Sequence, residues 1–374
     1  MLGFGVDGAR VLRLSVVVPF HRNLDQLRQS LTALRASAQA LPAHAVLADL
    51  IVAADGAVDD PAGVAAEVGA RVVTIEGPRG PAVARTIGAA TATGDLLVFV
   101  DTDVVAHADS LPRLAALFLA EPELGAAFGA YDEAPADPGF FSQCRNLAHS
   151  FIHQRANREA QTFWAGLGAV RSDVFVAVGG FDERFAQPSV EDIDLGYRIR
   201  MAGYRIVLDP MVQGKHLKRW TLRSSVKSDI WDRGIPWTQL LKRYGTLNND
   251  LNITRAYRAC VVLAYLVVMS LVAAWWVPGS LAAVPLLLGG IWFLDRPYYR
   301  FFVTRRGLPF ALGWFPFHVL HHLCNGLSFV IGTTLYVGQR LTGGALPGAL
   351  PLTPWPGVAA ARIDSAHRAS NAHS

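Results

Sequence analysis

Over roughly the first 245 residues, apolar and polar positions come in alternating blocks of strand and helix length, whereas from 256 to 338 the apolar runs are nearly continuous. Val11-Leu12-Arg13-Leu14-Ser15-Val16-Val17-Val18-Pro19 reads as a buried parallel strand closed by proline. A helical stretch over about 24–40 follows, then a strand over 48–53 that ends at Asp55-Gly56, then a helix over 62–68 and a strand over 71–75. This βαβα order predicts an α/β domain, a mostly parallel sheet with helices on both faces, in which ligands sit outside the carboxyl ends of the strands. Pro19-Phe20-His21, Asp55 and Asp101 to Asp103 all stand at such ends and are expected to converge on one cleft.

The sharpest feature is Leu96-Leu97-Val98-Phe99-Val100-Asp101-Thr102-Asp103, an apolar strand that ends abruptly in two carboxylates one residue apart. Alternation along an extended chain puts Asp101 and Asp103 on one side. Carboxylates at the end of a hydrophobic strand cost several kcal/mol unless a positive group meets them, and a divalent cation that also holds phosphates is the obvious partner. Hard oxygen ligands favour Mg2+ or Mn2+. A helix N-cap is the competing reading, and it suits Asp109 and Ser110 before Pro112 better than it suits Asp101 and Asp103.

Composition changes the picture of the second half. The chain has 374 residues, 52% hydrophobic and 17% charged, with mean hydropathy +0.28, too apolar for an ordinary soluble enzyme. The formal charge of +4 comes largely from Arg and Lys beside the apolar runs. We read it as attraction to a membrane surface, not to nucleic acid. Cys144, Cys260 and Cys324 are scattered without metal-ligand spacing, and two lie in apolar segments, so neither disulfides nor a zinc site is expected. The chain opens without the pattern of a signal peptide, and its N-terminal domain is expected in the cytoplasm.

Ser15-Val16-Val17-Val18-Pro19, Ala54-Asp55-Gly56, Gly80-Pro81-Ala82-Val83-Ala84-Arg85-Thr86-Ile87-Gly88 and Asp101-Thr102-Asp103, in this order and spacing, resemble the nucleotide-sugar half of a family 2 glycosyltransferase with the Rossmann-like GT-A fold. The resemblance implies a donor site of Pro19, His21, Asp55, Arg85, Asp101 and Asp103. In it His21 and Asp55 hold the nucleobase, Arg85 approaches the nucleotide, and Asp101 with Asp103 binds the metal on the diphosphate. The chain departs from the family pattern at Ala54 and Ala57, where acids and serine often stand. The competing reading of His21 is a surface loop residue, and Arg85 could instead cap or pair within the sheet.

Trp164-Ala165-Gly166-Leu167-Gly168 offers an aromatic platform and glycines that let a sugar approach the backbone, so Trp164 and Gly166 are candidate acceptor residues; a turn with a core tryptophan is the alternative. Glu191-Asp192-Ile193-Asp194 opens a helix, where acids are also favoured by the helix dipole. The resemblance makes Asp192 the general base and has Glu191 orient the acceptor or its neighbour, with Asp194 structural. His216 resembles the C-terminal metal ligand of many GT-A enzymes. In His216-Leu217-Lys218-Arg219-Trp220 it stands where processive synthases carry glutamine in Gln-x-x-Arg-Trp, which counts against processivity. Arg219 could contact diphosphate and Trp220 could stack on an acceptor, or the basic stretch 215–245 could lie at lipid headgroups.

The chain is accordingly expected to divide into a cytoplasmic GT-A domain over 1–245 with its interfacial segment 215–245, a membrane domain over 246–340, and a disordered tail over 341–374. Spans are expected at about 256–277, 280–294 and 311–337; Pro316, His318, His321 and His322 interrupt the apolar character of 308–337, which could be a third span or an interfacial helix followed by one. Arginines flanking the first two place both their ends in the cytoplasm. The histidines prompt a metal hypothesis, but no matching carboxylate set is visible along the sequence, so headgroup or acceptor contact is preferred.

The expected activity is metal-dependent, inverting transfer from a nucleotide sugar, a UDP-sugar first, to a hydroxyl of a lipid or glycan acceptor at the cytoplasmic membrane face, with Mn2+ or Mg2+ as cofactor. A polyprenyl-phosphate acceptor, a processive polysaccharide synthase and an inactive membrane scaffold are the alternatives. An acceptor that is already an anion needs no base, which weighs against the first.

Overall fold

The computed structural model describes residues 11–185, 187–245, 254–344 and 346–352. The chain divides into two compact units, one made chiefly of residues 1–132 and 158–217, the other of 133–157 and 218–354. The segment 218–245 thus clusters with the second unit, as does the helix Phe140–Arg155. The expected tail falls mostly outside the described residues.

The first unit is built on one sheet of β1 (Leu12–Phe20), β2 (Ala45–Asp55), β3 (Arg71–Ile75), β4 (Leu96–Val100), β5 (Val104–Ala106), β6 (Leu124–Tyr131), β7 (Leu167–Arg171) and β8 (Arg205–His216). The strand order is β3-β2-β1-β4-β7-β6-β8-β5. The expected parallel half is present: β3, β2, β1 and β4 run the same way. Beyond β4 the sheet is mixed, because β7 pairs antiparallel with both β4 and β6, and β5 pairs antiparallel with the end of β8. β4 is buried along its whole length, as its unbroken apolar run requires of a central strand. The chain leaves it at Asp101, so the carboxylates emerge where the sheet's interior ends. Asp109 does occupy the N-cap of the helix Ser110–Ala120, but its carboxylate accepts from Arg113 Nε at 2.6 Å and caps no backbone N–H.

The second unit is helical. Tyr298, Tyr299 and Phe302 of the helix Arg296–Arg306 are buried against Cys144 and Leu147 of Phe140–Arg155 and against Ala311 and Trp314 of Leu308–Thr342. The last of these runs unbroken through Pro316 for 35 residues, where an interrupted segment was expected. His318, His321 and His322 therefore fall within about one turn of a single rod about 52 Å long. By length and composition one described helix, Arg255–Ala273, can cross a membrane, or two if Pro278–Leu294 and Arg296–Arg306, bent by 76°, count as one span. Leu308–Thr342 is long enough but is not among them, so the expected span at 311–337 is not supported by composition.

A buried ion network holds this unit together. Asp229, in the short π-helical turn Ser228–Asp232, accepts from both terminal nitrogens of Arg145 at 2.7 and 3.0 Å and lies 2.6 Å from His321 Nδ1. Burial works against its ionisation, but His321 and Arg145 outweigh it and hold the carboxyl down to about 2. A carboxyl depressed from 3.8 stabilises the fold fully above pH 4 and loses that contribution as pH falls toward 2. The expected result is that Asp229→Asn costs about 2 kcal/mol at pH 7 and flattens the acid limb of the stability curve between pH 4 and 2. Denaturant titrations of both proteins across that window check it; an unchanged acid limb would contradict it.

Candidate functional site

Each sequence-marked residue of the first unit is delivered by a strand end or helix start. Asp55 closes β2, and its carboxylate accepts the backbone N–H groups of Arg79 at 2.8 and 3.0 Å and Gly80 at 2.7 Å. It thereby fixes the loop that feeds the helix Pro81–Ala90. The loop comes close enough that a Cβ on Gly56, whose φ is +50°, would meet Pro78 N at 2.4 Å, so only glycine fits there. His21, just past β1, is exposed, and its Nδ1 lies 2.9 Å from the Asp55 carbonyl oxygen. Thr102 Oγ1 donates to the Pro19 carbonyl, tying the end of β1 to the turn between the two aspartates.

Arg85, in the helix that Asp55 anchors, is the centre of the arrangement. Its side chain is 6% exposed, yet one terminal nitrogen donates to Asp101 Oδ1 at 2.6 Å and the other to Glu191 Oε1 at 2.8 Å. Phe181 lies beneath the guanidinium, 5.5 Å from ring centre to Cζ. Burial lowers the arginine's proton affinity, but Asp101, Glu191 and Asp192 together push its pKa above the ordinary value. Arg85 thus uses both terminal nitrogens on carboxylates, although the sequence pattern pointed it toward the nucleotide. Burial raises the Asp101 pKa above the usual aspartate range; Asp103 adds to the shift and Arg85 opposes it.

Asp101 and Asp103 keep 31% and 27% of their side-chain surface accessible, although with His216 they do not form a set whose ligand atoms all lie within 4.8 Å of one another. His216, the last residue of β8, is 6% exposed and places Nε2 3.4 Å from Asp103 Oδ2. That separation is within about 0.5 Å of the spacing between neighbouring ligands around an octahedral ion with bonds of about 2.1 Å. Two carboxylates and an imidazole are a donor set that suits Mn2+ or Mg2+. The register Val104↔His216 between β5 and β8, with Leu217 N donating to the Asp103 carbonyl at 2.8 Å, sets this geometry through the backbone. His216 stacks on Tyr131 at 4.2 Å, and Tyr131 meets Trp164 edge to face at 4.8 Å. Tyr131, buried at the end of β6, carries no motif that could have marked it in the sequence.

Glu191 and Asp192 open the helix Glu191–Met201 and are 4% and 8% exposed. Besides Arg85, Glu191 accepts from Ser189 N at 2.9 Å. Asp192 accepts from Ala165 N at 3.1 Å and Ile193 N at 2.8 Å, one backbone donor for each oxygen, so the helix start and the Trp164–Gly166 turn both orient it. Asp194 is fully buried on Arg198 at 2.8 Å, a structural pair. Trp164 is 7% exposed, and a Cβ on Gly166 would meet its indole at 2.4 Å. The glycine is therefore needed for the indole to lie flat in the wall. Arg219 and Trp220 belong to the second unit. There Arg219 is exposed 3.9 Å from Asp137, and Trp220 lies between the cationic groups of Lys218 and Arg145.

Residues 15–178 match the family model described as glycosyl transferase family 2. No curated protein matches the sequence. Among solved structures, the chain is similar to a mannosyltransferase from Pyrobaculum calidifontis in complex with GDP-mannose and Mn2+, with a TM-score of 0.51, 15% identity and 89% of each chain covered. A glucosyl-3-phosphoglycerate synthase from Mycobacterium tuberculosis in complex with phosphoglyceric acid superposes at a TM-score of 0.43 and 19% identity, over 63% of this chain and 81% of that one. The first likeness establishes the fold.

Removing Arg85 strands two buried carboxylates. Arg85→Met is expected to destabilise the first unit by about 3–5 kcal/mol, whereas Glu191→Gln, whose amide oxygen still accepts the guanidinium, costs less. Urea midpoints of the two variants check this; equal or negligible losses would contradict it.

Proposed function

Because residues 15–178 make this chain a family 2 glycosyltransferase of the GT-A fold, we propose that it transfers a sugar, with inversion, from a nucleotide-sugar donor to a hydroxyl acceptor. The donor is first a UDP-sugar and the acceptor a lipid or glycan. The observation that carries the reading is Asp192, a buried carboxylate oriented by one backbone N–H on each oxygen, in the same unit as Asp101, Asp103 and His216.

A hydroxyl is a poor nucleophile near neutral pH, so attack on an anomeric carbon needs a carboxylate in reach of its proton. Asp192 takes that proton. Its two N–H donors fix its direction, which is what a base needs before the acceptor arrives. Glu191 does not touch the reaction directly; it holds Arg85, which holds Asp101. Asp101, Asp103 and His216 would hold Mn2+ or Mg2+, which when bound neutralises charge growing on the departing nucleotide diphosphate. Mn2+ in the similar mannosyltransferase supports the same choice here. Pro19, His21 and Asp55 border the nucleobase, and Arg85 serves the donor through Asp101. Trp164 and Gly166 shape the acceptor side, and we assign Arg219 and Trp220 to diphosphate and acceptor contact on the resemblance alone.

We place the catalytic unit on the cytoplasmic face of the cell membrane, anchored by a multi-pass second unit. Helix Arg255–Ala273 supports this: Val262 and Met269 are 59% and 64% exposed, and Trp275 and Trp276 just beyond are 86% and 78% exposed. Apolar surface of that extent with an aromatic end suits lipid better than water. A polyprenyl-phosphate acceptor leaves the orientation of Asp192 without a purpose, and a scaffold leaves the whole donor set without one.

Asp192→Asn is expected to lower transfer by about 10²–10⁴-fold while leaving Mn2+-dependent donor binding within about twofold of wild type. Transfer assays paired with calorimetry of donor binding check it. Transfer at the wild-type rate would remove Asp192 as base; loss of both transfer and donor binding would show that it serves the donor site instead.

A further inference from the structure

The helices Arg255–Ala273, Ala283–Leu294 and Leu308–Thr342 of the second unit share an apolar cluster in which Cys260, Ala264 and Ile291 are fully buried beneath Leu263, Leu288 and Leu323. Three groups in this cluster are not apolar. The Cys260 thiol, a carboxylate oxygen of Asp295 and an imidazole nitrogen of His322 all lie within 4.8 Å of one another. Cys260 and His322 have no exposed surface, and the Asp295 side chain keeps only 12%.

The three groups are paired chiefly with one another. Asp295 stands at the N-cap of Arg296–Arg306, yet its carboxylate makes no capping bond and turns instead to His322, with Oδ2 3.2 Å from Nε2. The other ring nitrogen, Nδ1, is buried with no partner among the described residues. The Cys260 thiol is hydrogen-bonded to the Asp295 carboxylate and has a 3.9 Å contact with the Ile291 carbonyl. A carboxylate whose side-chain partners are a thiol and an imidazole, all three set in an apolar cluster, is a place that favours a cation.

We propose that Cys260, Asp295 and His322 bind a zinc ion that ties these three helices together. Thiolate, carboxylate and neutral imidazole around Zn2+ sum to zero net charge, which an apolar cluster accepts and the carboxylate alone does not. Neighbouring ligands of a tetrahedral zinc are about 3.3–3.6 Å apart. The Asp295–His322 pair is already at that spacing, and Cys260 needs to close by about 1 Å. A sulfur ligand disfavours Mg2+ and Ca2+, and the mixed sulfur, nitrogen and oxygen set suits zinc. Binding forms a Zn–Sγ bond, releases the Cys260 proton to solvent and involves no redox change. The spacing along the chain hides this set, because Asp295 lies 27 positions before His322 and only the bend after Leu294 brings it in. The proposal does not depend on the transferase reading.

The test uses the full chain, purified in detergent through a histidine-free tag, loaded with ZnCl2, and washed with excess Mg2+ so that Asp101, Asp103 and His216 do not retain zinc. Zinc by mass spectrometry is expected at about one equivalent per chain, falling to about a tenth or less in Cys260→Ser and His322→Asn. Co2+ loading of the wild type is expected to give thiolate-to-cobalt charge-transfer absorption, which needs no variant to fold. Wild type without zinc, zinc retained in both variants, or cobalt without the thiolate band would each overturn the assignment.

Discussion

Arg85 is a buried cation shared between two carboxylates that come from distant parts of the chain. Asp101 ends the central strand β4, Glu191 begins the helix Glu191–Met201, and the guanidinium lies between them with bonds of 2.6 and 2.8 Å. Any one of these charges alone in that position would cost several kcal/mol, so the three are stable only together. The constraint is directional as well as energetic. A planar fork with two fixed N–H directions sets where Asp101 can point, and with it the edge of the cluster that also contains Asp103 and His216.

The rest of the first unit serves that geometry. Asp55 ties down the loop before the Arg85 helix, Thr102 fastens the turn between the aspartates to the end of β1, and the β5–β8 pairing sets His216 against Asp103. Behind the histidine the Tyr131 and Trp164 rings limit its rotation. These are rigid supports on strand ends and helix starts, the places from which charged groups can be aimed without burying unpaired backbone. Asp192 then receives two backbone N–H donors from the same framework, so it and the Asp103–His216 pair are held by one scaffold.

Much of this was legible in the sequence. The parallel strands follow from apolar runs closed by Pro19, Asp55 and Asp101, because a strand covered on both faces has no other pattern available. The candidate residues of the first unit also follow, since charged groups after such runs must face an opening. What the sequence hid was long-range pairing. Nothing local shows that β7 inserts antiparallel beside β4, that Tyr131 lies under His216, or that Arg85 is shared by Asp101 and Glu191 across 106 positions. In the second unit the same limit appears twice. Pro316 reads as an interruption but is carried inside an unbroken helix, and Asp295 reads as an isolated acid until a bend sets it beside His322.

The central claim is that the Asp101–Asp103–His216 cluster and its supports constitute a working donor site. The direct measurement is nucleotide release by the detergent-purified chain across a panel of nucleotide sugars, with and without Mn2+ or Mg2+ and with a lipid extract as acceptor. The account requires release from one donor, a UDP-sugar first, dependent on the metal and on the extract. No release from any donor under any of these conditions, together with no donor binding by calorimetry, would contradict it and leave the chain a glycosyltransferase fold without turnover.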